Sequence, residues 1–157
     1  MQIRQPNRIT RTYTQRLVGN PAAVFPLLCP VRECDWIEGW NPIDVISSSG
    51  VAEADCIFVT EAQPVNAIWF ITRHEAENGF VEMVKVSPSV TVCKISIQLT
   101  PVSTGSKARV TYTHTSLGPE GNAFIENFSD SYFQQFMREW ETRLNHYLAT
   151  GKILASA

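Results

Sequence analysis

Six side chains able to carry charge, a proton or a nucleophile lie on consecutive strand-like stretches of this sequence: Arg73, Glu75, Glu82, Cys93, Tyr112 and His114. A guanidinium such as Arg73 suits a carboxylate or an enolate. Tyr112, His114 and Glu82 are candidates for general acid–base chemistry, and Cys93 beside His114 has the residue types of a nucleophile and its base. Spacing supplies only adjacency. Nothing marks an oxyanion hole, and a cysteine at an apolar strand position reads first as packing. The competing reading of the cluster is structural: an ion pair of Arg73 with Glu82 or Glu75, and satisfied partners for Tyr112 and His114. Burial of such groups without partners costs several kcal/mol.

Other chemistries find little support. Three histidines stand on separate segments with no metal-ligand spacing, and His74 and His146 read as exposed. The cysteines (Cys29, Cys34, Cys56, Cys93) form no Cys-x-x-Cys pair and read as buried free thiols. Phosphate loops and dinucleotide fingerprints are absent. No metal and no cofactor are expected. Thirteen Lys and Arg against 15 Asp and Glu leave a net charge of −2, which argues against nucleic acid as the main partner. No apolar run reaches the ~18 residues of a membrane span, and the polar stretch from Met1 to Arg11 lacks a signal-peptide core. A cytoplasmic protein, monomer or homodimer, is the expectation. At 157 residues the chain has the length of one domain, 1–157.

The elements that must position these residues follow from periodicity. Arg8 to Leu17 alternates, with Ile9, Tyr13 and Leu17 on one side. Asn20 is a good N-cap and Pro21 a good first helical residue, but Pro26 and Pro30 predict two short helical pieces, about 21–28 and 30–36. Six further strands follow at hairpin spacing: Asp44–Ser49, Asp55–Ala62, Ala67–Glu77, Phe80–Ser87, Val90–Thr100 and Lys107–Ser116. From Asn122 to Thr150 the pattern is one amphipathic helix rich in aromatic residues, whose wide apolar side needs a sheet to cover it.

Turn lengths then set the register. A two-residue turn at Asn78-Gly79 places Arg73 opposite Val84 and Glu75 opposite Glu82. A two-residue turn at Pro88-Ser89 puts Val84 against Cys93, and an even loop at Ser103 to Ser106 sets Cys93 beside His114 and Ile95 beside Tyr112. Residues of one parity share a face, so the polar cluster points inward with Trp69, Ile71 and Ile97. A one-residue change in any turn exchanges the faces and brings Phe70, Thr72, His74, Met83 and Lys85 inside instead. On the helix, Glu126 and Ser129 fall in the sector defined by Tyr132, Phe133, Phe136 and Trp140, which should face the sheet. Glu126 otherwise serves as an exposed first-turn carboxylate. Trp36 and Trp40 form either a lid or a plug.

The order of one strand, two short helices, six antiparallel strands and a long terminal helix resembles the helix-grip fold of the SRPBCC superfamily. That superfamily includes START lipid-transfer domains, plant pollen allergens and polyketide cyclase/dehydrase-like proteins. The resemblance rests on Asn20-Pro21-x-x-Val24-Phe25, on Cys29-Pro30-Val31-Arg32-Glu33-x-Asp35-Trp36-Ile37-x-Gly39-Trp40, and on the terminal aromatic helix. The Cys-Pro-Val-Arg-Glu segment is similar to a bacterial branch whose members mostly lack an assigned activity. The resemblance implies an α+β fold: a seven-stranded curved antiparallel sheet around the helix, with a cavity for a hydrophobic or amphipathic small molecule. The expected ligand-binding set is Arg73, Trp69, Ile71, Cys93, Ile97, Tyr112, His114, Glu126, Phe128, Ser129, Tyr132, Trp36 and Trp40. The alternatives are a cyclase/dehydratase-like enzyme using Tyr112, His114 or Glu82, and a cochaperone-like interaction domain with a filled interior.

Overall fold

The computed structural model describes residues 1–157. Strand β1 (Arg8–Leu17) leads into a single helical turn, α1 (Pro21–Val24), capped by the Asn20 side chain accepting from the Ala23 amide at 2.9 Å. Pro26 has no amide hydrogen to extend that helix, and the chain tightens into a 3-10 turn at Phe25–Leu27. A second 3-10 turn spans Arg32–Asp35, where the sequence predicts a longer helical piece.

Six strands follow: β2 (Asp44–Ile46), β3 (Ile57–Thr60), β4 (Ala67–Glu75), β5 (Phe80–Ser87), β6 (Thr91–Val102) and β7 (Gly105–Ser116). They form one curved antiparallel sheet in the order β1-β7-β6-β5-β4-β3-β2. Between β6 and β7 the pairing is as the sequence predicts, with Cys93 opposite His114 and Ile95 opposite Tyr112. Tyr13, Arg11 and Ile9 continue these rows across β1, opposite Val110, Tyr112 and His114.

Three irregularities overturn the predicted register of β4 and β5. The β4–β5 turn takes four residues instead of two: Ala76–Asn78 form a 3-10 turn closed by Gly79 at φ +63°, and Glu75 pairs with Phe80. Gly79 is needed there, since a Cβ would also press to 3.0 Å from the Leu99 carbonyl oxygen. A bulge at Thr72 shifts the register between Ile71 and Arg73; the Thr72 hydroxyl donates to the Glu82 carbonyl at 3.1 Å and approaches its carboxylate at 2.9 Å. The β5–β6 turn takes three residues, Pro88 to Val90, with Ser89 at φ +66°. As a result Val81, Met83 and Lys85 line the concave face of β5, and Glu82 and Val84 lie on the convex face.

The predicted single terminal helix is two. α2 (Pro119–Asn127) ends at Phe128, and α3 (Asp130–Thr150) restarts at Ser129, whose extended backbone and hydroxyl cap the Tyr132 amide at 3.1 Å. Arg11, inward on β1, donates to the Phe128 carbonyl at 3.2 Å, so a cation meets the free carbonyls at the end of α2. Gly121 lets α2 press onto the sheet, where a Cβ would stand 2.0 Å from the Val90 carbonyl oxygen.

Phe133, Met137 and Leu144 of α3 are fully buried on the sheet. Each contributes about 1.5–3 kcal/mol by leaving water. Polar contacts tie α3 to β1: buried Gln15 donates to the Met137 carbonyl at 3.1 Å, and Asn145 accepts from the Val18 amide and donates to the Arg16 carbonyl. The helix is thereby held to one side of the sheet. No helix is long and apolar enough to cross a membrane.

Candidate functional site

With α3 anchored on β1, space remains between its other flank and the middle of the sheet. A cavity of about 220 Å³ lies there. Its floor is Trp69, Met83, Ile95, Ile97 and Tyr112 on the concave face, and α3 covers it with Phe136, Glu139, Trp140 and Arg143. The chain after α1 closes one side with Pro30, Glu33, Ile37 and Trp40. Steps of three and four residues put those four side chains on one face of a helically wound segment.

The indole N–H groups are satisfied within the protein. Trp40 donates to the Pro30 carbonyl at 2.7 Å, and Trp69, stacked on Phe58 at 5.0 Å, donates to the Thr60 hydroxyl at 2.9 Å. Trp36 is fully buried, donates to the Leu27 carbonyl at 3.1 Å and meets Trp140 edge-on at 5.1 Å. It is the plug of that end, whereas Trp40 lines the cavity. The rings thus turn apolar faces to the space and keep their polar edges elsewhere.

Two polar groups look into it from opposite walls. Burial pushes the Glu33 carboxyl from its ordinary 4.5 to about 8. Its side chain makes no hydrogen bond or ion pair, although its amide is held by the Cys29 carbonyl at 2.8 Å. Burial likewise holds the Tyr112 phenol well above its ordinary value, with nearby Cys93 and Glu33 adding to the shift. At neutral pH the cavity therefore presents a largely protonated carboxyl and a phenol, each able to donate a hydrogen bond.

One strand row further along the concave face lies a second polar group, Lys85, Cys93 and His114. Cys93 Sγ is 3.6 Å from His114 Nε2, and the imidazole is roofed by Phe128 and Phe124 at 4.6 and 4.8 Å. Burial pushes the thiol up to about 12 and the imidazole down to about 4, the latter reinforced by the Lys85 charge. Burial also lowers the Lys85 ammonium, which rests 4.8 Å over the Trp69 ring. This pair is a neutral thiol and a neutral imidazole, not an activated nucleophile.

The structure separates the predicted cluster. Trp69, Ile97, Tyr112 and Trp40 line the cavity, while Ile71, Cys93 and His114 are packed beneath the surface of the concave face. Arg73 and Glu82 are corrections: the Thr72 bulge turns Arg73 outward, and the three-residue β5–β6 turn does the same to Glu82. Arg73 pairs with Glu75 at 2.7 Å and lies 4.4 Å over Phe80, with about half of its side chain exposed. Glu126 and Tyr132 point to solvent, Ser129 is a helix cap, and Phe128 covers His114 instead of the cavity. His74 packs on Phe25 at 4.9 Å and is half-buried, as is His146. Glu33 went unread. The signal that could have found it is the stripe Pro30, Glu33, Ile37, Trp40, in which one carboxylate occupies an otherwise apolar face.

No protein-family model matches the sequence, and no curated protein matches it. Solved structures do. A norcoclaurine synthase point mutant from Thalictrum flavum, in complex with a transition-state analogue, superposes with a TM-score of 0.66 at 10% identity over 94% of this chain and all of that one. Ara h 8.0201 gives 0.65 at 12% identity over 92% and 99% of the two chains. A structural-genomics protein from Rhodobacter sphaeroides gives 0.65 at 13% identity over 89% and 91%. At such identities the likeness speaks for architecture, and the architecture it establishes for this chain is the Bet v 1-like helix-grip fold.

Proposed function

We propose that this protein binds a compact hydrophobic or amphipathic small molecule between the sheet and α3. The observation that carries this reading is a cavity walled mainly by aromatic and aliphatic side chains into which one carboxyl and one phenol project without protein partners. A filled interior, which a pure interaction domain of this fold requires, is not what the space between Trp69 and Trp140 offers. The norcoclaurine synthase structure with its transition-state analogue supports ligand occupancy of this architecture as an analogy only.

The test is a thermal-shift screen with unsaturated fatty acids, flavonoid-like and polyketide-like compounds, and small aromatics. A binder raises the melting temperature of the parent and of Arg73→Ala, whose side chain is on the convex face, and loses effect with Trp69→Ala. Should no class shift the melting temperature, the reading fails.

A second reading, proton transfer on the bound molecule, is favoured by one observation: Glu33 holds its proton to about pH 8, opposite Tyr112. It replaces the predicted acid–base set, because Glu82 is outside and His114 is sealed. Turnover that disappears with Glu33→Gln, while binding persists, distinguishes an enzyme from a carrier.

A further inference from the structure

The reading of the cavity as a ligand site leaves open what kind of molecule it takes, and the charges around it bear on that. Glu33 faces Tyr112 from β7 and Glu139 and Arg143 from α3 across the space. Its own segment adds Arg32, Cys34 and Asp35, but Arg32 is committed to Asp35 at 2.6 Å. Arg143, the only cation in the lining, donates to the Leu154 carbonyl and the Ser156 hydroxyl, both at 3.3 Å, and forms no ion pair with Glu33 or Glu139. The Glu139 carboxylate accepts only from Gln135, at 3.2 Å. Two carboxyl groups therefore line the cavity without a cationic partner.

The remaining wall has the chemistry that receives cations. Trp40, Trp69, Trp140, Phe136 and Tyr112 turn rings toward the space. One of them, Trp69, already holds an ammonium, that of Lys85, at 4.8 Å from its ring. A carboxylate ligand would meet the Glu139 carboxylate and, wherever Glu33 is ionised, a second group of its own sign, and the one guanidinium predicted to receive it, Arg73, is on the far side of the sheet. A volume of about 220 Å³ lies below the ~300–1,000 Å³ of drug-sized sites, which limits the occupant to a compact ring system.

We propose that the cavity selects compact aromatic amines, with the ammonium against Glu33 and the ring system between Trp69, Trp140 and Tyr112. Pairing with an ammonium draws the proton off Glu33, so binding releases protons and strengthens as Glu33 ionises.

Three probes of one shape test this: 1-naphthylmethylamine, 1-naphthalenemethanol and 1-naphthoate, with dissociation constants from tryptophan fluorescence at pH 6 and pH 8 for the parent and Glu33→Gln. For the parent, the amine binds at least about tenfold more tightly than the alcohol at pH 8, and its affinity falls roughly 50-fold by pH 6, where a carboxyl titrating at about 8 is nearly all protonated. The alcohol shows no such slope. Glu33→Gln removes both the amine preference and the slope and keeps alcohol binding. At pH 8, equal or tighter binding of the alcohol or the naphthoate to the parent overturns the proposal while leaving the cavity a ligand site. An amine preference that survives in Glu33→Gln overturns it too. If none of the three binds, the ligand-site reading and this proposal fall together.

Discussion

Replacing Glu33 by glutamine gives a stability change whose pH dependence can be worked out before it is measured. Below about pH 4.5 the carboxyl is protonated in both folded and unfolded chains and contributes no pH-dependent difference. Between 4.5 and about 8 the unfolded chain releases the proton and the folded chain keeps it, so folding loses stability as pH rises through that window. At ~1.36 kcal/mol per pH unit, the full shift corresponds to about 5 kcal/mol. Glu33 keeps part of its surface accessible, so this is an upper bound: every unit by which water in the cavity brings the folded carboxyl below 8 takes ~1.4 kcal/mol off it. Glutamine does not titrate. The variant should therefore gain several kcal/mol over the parent between pH 4.5 and pH 8, at most about 5, which for a domain of this size is up to roughly 10–20 °C in melting temperature. Urea unfolding of both proteins at several pH values is the assay. The other groups whose titration burial shifts downward, His74, His114 and Lys85, are common to both proteins and cancel on subtraction. Parallel stability profiles, or a parent that gains on the variant with rising pH, would refute the burial of Glu33 as described.

Thiol labelling of the native protein at pH 8 should modify Cys34 alone, since Cys29, Cys56 and Cys93 are buried and burial holds the Cys93 thiol at about 12; a Cys34→Ser variant that still reacts promptly contradicts this arrangement. Ser129→Ala should cost about 1 kcal/mol by removing the cap of α3, without changing affinity for any cavity ligand; a change in affinity measured by titration would return Ser129 to the cavity wall.

How far the molecule is legible in its sequence depends on where the chain departs from alternation. The β6–β7 ladder needed only an even loop, and Cys93 and Tyr112 landed opposite His114 and Ile95 as parity demands. Around β5 the same logic failed for local reasons. Asn78-Gly79 has the composition of a two-residue turn, yet Gly79 serves as the left-handed end of a 3-10 turn, and Pro88-Ser89 recruits Val90. Thr72 adds a bulge that nothing in its residue type announces. The longer β4–β5 turn shifts the pairing by two residues and keeps the faces, but the extra residue of the β5–β6 turn carries Glu82 outward and Lys85 in, and the Thr72 bulge carries Arg73 outward and His74 in. The terminal helix hid its break because Ser129 is as compatible with a helix interior as with a cap, while Phe128 and Phe133 keep the apolar pattern running across it. Glu33 was missed for another reason: its segment is too short and too irregular for periodicity to stand out, although Pro30, Ile37 and Trp40 mark its face.

These displacements invert the chemistry expected of the site. With Arg73 inside, the cavity would suit carboxylates or enolates; with Arg73 outside and Glu33 at the wall, its polar groups suit hydrogen-bond acceptors and, on our proposal, cations. The two polar levels of the concave face have different fates for the same physical reason, the supply of water. Beneath Phe124 and Phe128 the Cys93 thiol and His114 imidazole are driven to their neutral forms, where they pack and hydrogen-bond but carry no charge to use. At Glu33 and Tyr112 the space is large enough to admit a molecule, and a carboxyl that is neutral when the cavity is empty can ionise against an incoming cation. The Glu33 charge is then expressed only when a ligand brings its counterpart, which is why a deep polar pair with the residue types of catalysis is a less promising site than a single carboxyl on an apolar wall.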